Sequence, residues 1–282
     1  MSYRLFAMDT YFYTSLGAYE FDARCEMLRE LGYDATYLTT WNEAAWNDVL
    51  KLPSVKARFG LDVAAVYATW DIAGGDDHAG NQRIVRLIET LEGCNHVELA
   101  VRTTDQKIAM SDPTHDARML RWLDKMLSVA QRRGITVSLY PHMNFWLERV
   151  EDAVRLCGKV NHPNLRAVFC GYHWYAVDGK DLPARLQEAA PWLRSVNLCG
   201  SRRFAQPVGG MPASIEPMDT GDLDNFAVLG LLRKIGYAGM VGFQGYSVGG
   251  DVYANLKRSM VAFRDMERRL ERHPAWAELR TG

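Results

Sequence analysis

Two histidines that follow short apolar runs are candidates for acid–base chemistry. His142 stands in VSLYPHMNFW, and His173 stands in VFCGYHWYAVDGKD. Because imidazole changes its charge between pH 5 and 8, a pair of histidines can pass protons to and from a substrate near neutral pH. Tyr140, two residues before His142, is a candidate hydrogen-bond donor beside them. The competing interpretation is that both rings hold loops in place through hydrogen bonds.

Polar groups at the ends of other apolar runs predict a site that binds a polar small molecule. Amide, carboxyl, indole and guanidinium groups supply hydrogen-bond donors and acceptors for such a ligand. Arg203 is also able to hold a phosphate or a carboxylate through two parallel hydrogen bonds. The residues predicted to contact the substrate are Asp9, Glu98, Trp174, Asn197, Arg203 and Gln244.

Cys170 and the aromatic residues each allow two interpretations. Cys170 lies three residues before His173 and is a candidate nucleophile, but a cysteine at a strand end is more often a small buried hydrophobe. Aromatic residues that follow the apolar runs, Trp41 and Tyr246 among them, can stack on a ring of a ligand. Packing beneath loops explains any one of them equally well.

Eight short apolar segments alternate with amphipathic segments and predict the scaffold that positions these groups. Within 114–134 the apolar residues recur on one face of a helix, and Gly134 ends it. Strict alternation of strand and helix indicates a parallel sheet, and eight repeats predict a single α/β domain over 1–282, a (β/α)8 TIM barrel. The alternative, an open doubly wound sheet, is disfavoured because no Gly-rich fingerprint follows the first strand. The predicted strands are Arg4–Met8, Ala35–Leu38, Val63–Tyr67, His96–Val101, Thr136–Tyr140, Ala167–Cys170, Ser195–Leu198 and Met240–Phe243.

The balance of charges disfavours two classes of binding partner. The chain carries 33 basic and 34 acidic residues, so neither nucleic acid nor a membrane surface has an electrostatic reason to bind it. No apolar stretch approaches 18 residues, and the first residues resemble a strand more than a targeting segment. Five scattered cysteines without a CxxC pair are typical of reduced thiols, which predicts a cytoplasmic protein.

Three segments together resemble the xylose isomerase-like TIM barrels. VSLYPHMNFW is similar to a family strand that ends in Glu-x-His, and VFCGYHWYAVDGKD to one that ends in Asp-x-x-His. MDTGDLDNFAVLGLLRKIGYAGMVGFQGY is similar to the last helix and strand of that family, which end in glutamate. The family includes sugar isomerases, ketose 3-epimerases and inosose dehydratases. Its zinc-dependent abasic-site endonucleases need several zinc ligands and a basic groove, which this sequence lacks.

The resemblance also implies where a metal ion would be held. Relatives bind Mn²⁺, Co²⁺, Mg²⁺ or Zn²⁺ through two glutamates, an aspartate and a histidine. The corresponding positions here are Tyr140, Cys170, Asn197 and Gln244. None of these is a carboxylate, so we expect no metal cofactor and no pair of glutamates for two-base epimerisation. A rebuilt metal site made of His142, His173 and Glu98 is the alternative.

These observations predict a sugar isomerase or lyase that works without the metal of its relatives. His142, His173 and Tyr140 are its candidate catalytic residues, and a small sugar or polyol is the expected ligand. The alternative is a barrel that binds a carbohydrate without catalysis, because amides and a phenol suit a neutral polyol. Since relatives commonly pair, a homodimer is a further expectation.

Overall fold

Ten strands form in the computed structural model, which describes residues 2–277. Eight of them close into a parallel barrel in the order β1-β10-β7-β6-β5-β4-β3-β2, and two form a separate hairpin. The predicted (β/α)8 TIM barrel is therefore confirmed, while residue 1 and residues 278–282 of the predicted domain lie outside the described residues. The strands are β1 Leu5–Ala7, β2 Ala35–Thr39, β3 Asp62–Asp71, β4 His96–Arg102, β5 Thr136–Leu139, β6 Leu165–Cys170, β7 Leu193–Leu198, β8 Arg203–Val208, β9 Met211–Ala213 and β10 Met240–Phe243.

Helices connect the barrel strands and cover the outside of the sheet. Gly134 ends α6 with φ of +65°, a left-handed conformation that glycine adopts without steric cost. Asp251 caps the last helix by accepting a hydrogen bond from the backbone of Ala254. The helices are α1 Thr10–Tyr13, α2 Phe21–Leu31, α3 Glu43–Asp48, α4 Leu52–Phe59, α5 Ala79–Thr90, α6 Asp116–Arg133, α7 Val150–Val160, α8 Gly171–Ala176, α9 Leu182–Ala189, α10 Asn225–Lys234 and α11 Val252–Arg272.

The alternation of side chains along each strand divides the core into two layers. In β1, Leu5 and Ala7 pack outward against the helices, whereas Phe6 packs inside the barrel. Inside, the Phe6 ring stacks on Tyr37 with ring centroids 5.4 Å apart. A Cβ atom at Gly242 would lie 2.3 Å from the Phe6 ring, so only glycine fits there.

The strand predictions hold, but the hairpin was not predicted. All eight predicted segments are barrel strands, although β3 runs four residues beyond its predicted end at Tyr67. Thr136–Leu139 ends one residue early, so Tyr140 stands just past its strand. The hairpin of β8 and β9 lies between β7 and α10, with Gly209 and Gly210 at its tip.

Candidate functional site

A cavity of about 400 Å³ opens where the carboxyl ends of the barrel strands meet. This volume lies in the range of small-molecule sites. The tip of the hairpin contributes Gly209, Gly210 and Met211 to the cavity wall. The polar groups of the wall are Thr10, Thr39, His142, Asn144, His173 and Gln244. Its other large side chains are Met8, Trp41, Tyr67, Tyr140, Met143, Phe145, Tyr172, Ile215 and Tyr246.

His142 and His173 lie side by side in this wall, with their ring centroids 4.0 Å apart. Nδ1 of His142 lies 2.7 Å from the carbonyl oxygen of Met143. Because a carbonyl only accepts, this nitrogen carries the proton and donates it. The backbone N–H of Met143 donates to Nδ1 of His173 over 3.3 Å, so the proton of neutral His173 is on Nε2. One residue, Met143, therefore assigns opposite tautomers to the two rings.

Both histidines are neutral near pH 7. Burial lowers the pKa of His142 to about 4, against the opposing hydrogen bond to Met143. Burial, and then the neighbouring His142, hold the pKa of His173 well below its usual value of 6.5. In the described part of the chain, neither Nε2 atom makes a hydrogen bond. The pair thus offers a ligand one proton acceptor, on His142, and one proton donor, on His173.

Tyr140, Cys170 and Gln244 form a neutral group beside the histidines. The Cys170 thiol donates a hydrogen bond to Oε1 of Gln244 over 3.0 Å. Burial raises the pKa of Cys170 to about 11, so the thiol is protonated at neutral pH. Burial, followed by the effect of Cys170, raises the pKa of Tyr140 well above 10. Tyr140 and Gln244 line the cavity, where they are hydrogen-bonding groups without charge.

Glu98 and Asn197 lie inside the barrel and do not contribute to the described cavity wall. Glu98 is the third residue of β4 and is fully buried. Its carboxyl group accepts a hydrogen bond of 2.6 Å from the Tyr37 hydroxyl and another from Ser195. Burial raises the pKa of Glu98 to about 7, although both hydrogen bonds oppose this shift. Glu98 therefore belongs to a hydrogen-bond network of the barrel interior and does not line the cavity.

Replacing Glu98 with glutamine is expected to make stability less sensitive to pH. Because the pKa of Glu98 rises from 4.5 to about 7 on folding, its ionisation destabilises the fold as pH rises through this range. Relative to wild type, Glu98→Gln should gain about 3 kcal/mol of unfolding free energy between pH 4.5 and 7.5. Urea titrations across this range measure the difference. Glu92→Gln, at an exposed position, is the control. A difference that does not change with pH would contradict the assignment.

Asp9 supports the cavity wall from behind. It follows β1, and its carboxylate accepts hydrogen bonds from the backbone N–H of Thr39, at 2.7 Å, and from the Thr39 hydroxyl. Burial raises the pKa of Asp9 to about 6, while Thr39 and the positive charge of Arg24 oppose the shift. Thr39 lines the cavity and Asp9 does not. Asp9 therefore acts through Thr39.

A sequence model described as "Xylose isomerase-like TIM barrel" matches residues 25–264. The chain belongs to the xylose isomerase-like TIM barrel family. A comparison with curated protein sequences finds no match.

Several solved structures share this fold. An L-ribulose 3-epimerase is 17% identical with a TM-score of 0.75, and the likeness covers 100% of both chains. The IolI protein with a bound zinc atom is 16% identical with a TM-score of 0.75, covering 93% of this chain and 97% of IolI. The 3-keto-D-glucoside 4-epimerase YcjR from E. coli is 16% identical with a TM-score of 0.73, covering 94% and 100%. At these identities the likeness shows the fold alone.

Arg203, predicted to contact the substrate, lies on the hairpin and outside the cavity wall. Its guanidinium donates to the carbonyl oxygen of Tyr175 over 2.5 Å and pairs with Asp178 at 3.0 Å. Trp174 also lies outside the cavity wall. It belongs to α8, next to His173, but packs against the outer core layer. Four of the nine sequence-predicted residues therefore meet in the wall, namely Tyr140, His142, His173 and Gln244.

Sequence reasoning missed Met143 and the hairpin. Met143 acts through its backbone, which no residue-type argument detects. The tip of the hairpin carries the pair Gly209-Gly210, both with positive φ, and such a pair is a usual signal for a tight turn. That signal was available in the sequence, whereas the position of the hairpin over the cavity was not.

Within residues 2–277, no group of three or more His, Cys, Asp or Glu side chains is arranged to hold a metal ion. None of the helices in this range has the length and apolar character of a membrane-spanning segment.

Proposed function

We propose that this protein is an isomerase or lyase that moves a proton next to the carbonyl group of a small, hydroxylated sugar-like substrate. The observation that carries the proposal is the pair of neighbouring histidines in the cavity wall, held by Met143 in opposite tautomers. A base and a hydrogen-bond donor on one wall are what such a proton transfer requires. The family of the chain and the sugar epimerases among its structural neighbours support a carbohydrate substrate.

The proposed step uses the free Nε2 atoms of both rings. Nε2 of His142 takes the proton from the carbon next to the carbonyl, and the electron pair of the C–H bond moves toward the carbonyl oxygen. The Nε2–H of His173 hydrogen-bonds to that oxygen as charge develops there, and the Tyr140 hydroxyl is a second donor in the same wall. In an isomerisation, the proton on His142 goes to the former carbonyl carbon, while Nε2 of His173 relays a proton from the neighbouring hydroxyl, which becomes the new carbonyl, to the former carbonyl oxygen. In a β-elimination, the enolate electron pair expels a β-hydroxyl group, which takes the proton from His142 and leaves as water.

The side chains at the family metal positions do not fit a divalent ion. Gln244 and Asn197 offer only neutral oxygens, and Oε1 of Gln244 already accepts a hydrogen bond from the Cys170 thiol. Tyr140 and Cys170 hold their protons at neutral pH, because burial raises the pKa of each group. Without a carboxylate, this donor set has no negative charge to hold a hard cation against water. We therefore propose that the reaction proceeds without a metal ion at these positions.

Hydrogen exchange with solvent tests both parts of this proposal. Purified protein, treated with EDTA, is incubated in D₂O with a panel of neutral ketoses, aldoses and 3-keto-glycosides. We expect deuterium to enter the carbon next to the carbonyl of at least one sugar, at a rate that EDTA does not change. Nuclear magnetic resonance measures the incorporation. Loss of exchange in EDTA, with recovery on adding Mn²⁺, would contradict the metal-free mechanism.

A barrel that binds sugars without catalysis is the second candidate. The pKa of His142, lowered to about 4, favours it, because so weak a base transfers protons less readily than an ordinary histidine. Binding of a sugar in the cavity without any deuterium exchange would support this alternative.

A further inference from the structure

The described cavity wall contains no aspartate, glutamate, lysine or arginine. Its polar groups are hydroxyls, two amides and two histidines. Both imidazoles are neutral near pH 7, because burial lowers their pKa values. The wall therefore has no formal charge at neutral pH.

Two arginines on segments that also contribute wall residues have other partners. Arg203 pairs with Asp178 and the Tyr175 carbonyl, and Arg149 donates to the carbonyl oxygen of Val177. Neither belongs to the described wall. A phosphate or carboxylate that entered would lose its hydration without gaining a cation, which is strongly unfavourable for a buried charge.

Aromatic side chains dominate the rim of the cavity. Trp41 and Tyr246 meet edge to face with ring centroids 5.9 Å apart, and 46% and 37% of their surfaces remain exposed. Phe145, another wall residue, stacks on His142 with ring centroids 4.1 Å apart. Large exposed aromatic side chains at the entrance of a cavity are typical of a site where they pack against an apolar part of a ligand.

We infer that the ligand is an uncharged sugar derivative with an apolar ring substituent, and that phosphorylated sugars and sugar acids are excluded. The sugar part rests on the proposed function and lies at the histidines, where donors and acceptors are available. The apolar substituent contacts Trp41 and Tyr246 at the rim. The neutrality of the ligand and its apolar substituent are inferred from the residues of the cavity wall alone.

Binding of defined probes tests this inference separately from catalysis. Isothermal titration compares phenyl and methyl glycosides of glucose, galactose, mannose and xylose with glucose 6-phosphate and glucuronate. At least one phenyl glycoside should bind about tenfold more tightly than its methyl counterpart, and neither anion should bind at 10 mM. An anion that binds as tightly as the neutral probes would overturn the inference, as would failure of every phenyl glycoside to bind.

Two variants locate the effect. Trp41→Ala should remove the tenfold preference for the phenyl group and leave the methyl glycoside unchanged, whereas Trp276→Ala, at a position 62% exposed in a 3₁₀ segment after the last helix, should change neither. Met211→Lys, which introduces a cation into the wall, should allow glucose 6-phosphate to bind. If Trp41→Ala keeps the preference, the rim is not the contact. Phenyl glycoside binding, together with no deuterium exchange in any ketose, aldose or 3-keto-glycoside of the panel, would uphold this inference and contradict the proposed enzyme, and exchange of an anionic sugar would do the reverse.

Discussion

Deuterium exchange by the His142→Asn variant is expected to be roughly 10²–10⁴-fold slower than wild-type exchange, the usual contribution of a positioned acid–base group. Asparagine has an amide N–H near the position of Nδ1 and can still donate to the Met143 carbonyl. It has no counterpart of Nε2, so the loop keeps its hydrogen bond while the base is lost.

His173→Asn is expected to slow exchange by a comparable factor through a different atom. The asparagine oxygen can accept the backbone N–H of Met143 in place of Nδ1, but the Nε2–H donor is gone. Because the two rings act on one substrate, the double variant should be little slower than either single variant. His273→Asn, at an exposed position after the last helix, is the matched control and should exchange at the wild-type rate.

The pH profile distinguishes a base from a residue that only holds the loop. Since the pKa of His142 is lowered to about 4, its basic form is present above that pH. Wild-type kcat/KM for exchange should therefore stay level from pH 5.5 to 8 and fall as pH decreases through about 4. Variants with wild-type exchange rates, or an acid limb near pH 6.5, would contradict the role of His142.

The sequence predicts the barrel and the wall residues that follow strands directly. Each strand is a short apolar run, and each ends where the parallel sheet of a barrel collects its functional groups, which is why Tyr140, His142 and His173 were found together. Glu98 shows the limit of this reasoning. It belongs to β4 like its neighbours, but it is the third residue of seven and lies below the cavity, not at its mouth.

The depth of an inward-facing residue can be predicted by counting along its strand, whereas the tautomers of His142 and His173 cannot be predicted from the sequence. Ala100 lies two residues after Glu98 and also faces the barrel interior, so counting along the strand places Glu98 one layer deeper. The assignment of protons on His142 and His173 depends on the backbone of Met143, which lies between them only after the chain has folded. Contacts of this kind carry no sequence pattern.

Arg24→Ala is expected to lower the free energy of unfolding by about 3–5 kcal/mol, the cost of breaking a buried ion pair from one side. Arg24 is buried in α2, and its guanidinium contacts Asp48 at 2.7 Å and Asp9 at 3.8 Å. It also lies over the Tyr13 ring at 5.0 Å. Removal leaves the carboxylate of Asp9 buried without its cation. Urea unfolding at pH 7 measures the change.

Arg58→Ala is the matched control for Arg24→Ala. Arg58 also pairs with an aspartate, Asp22, but both side chains are nearly half exposed. Solvent screens such a pair, so its loss should cost no more than about 1 kcal/mol. Equal losses in the two variants would contradict a special role for the buried network.

The stability lost in Arg24→Ala should depend on pH, and the substitution should also affect ligand binding in the cavity. Arg24 lowers the pKa of Asp9, so without it Asp9 takes up a proton at a higher pH and the buried charge disappears. The stability lost in Arg24→Ala should therefore be smaller at pH 5 than at pH 8, and Asp9→Asn should recover part of it at pH 8. Because Asp9 holds the backbone and hydroxyl of Thr39, which lines the cavity, the same variant should also weaken sugar binding. A loss of stability that is the same at both pH values would place the cost in the packing of the Arg24 side chain, not in the charge left on Asp9.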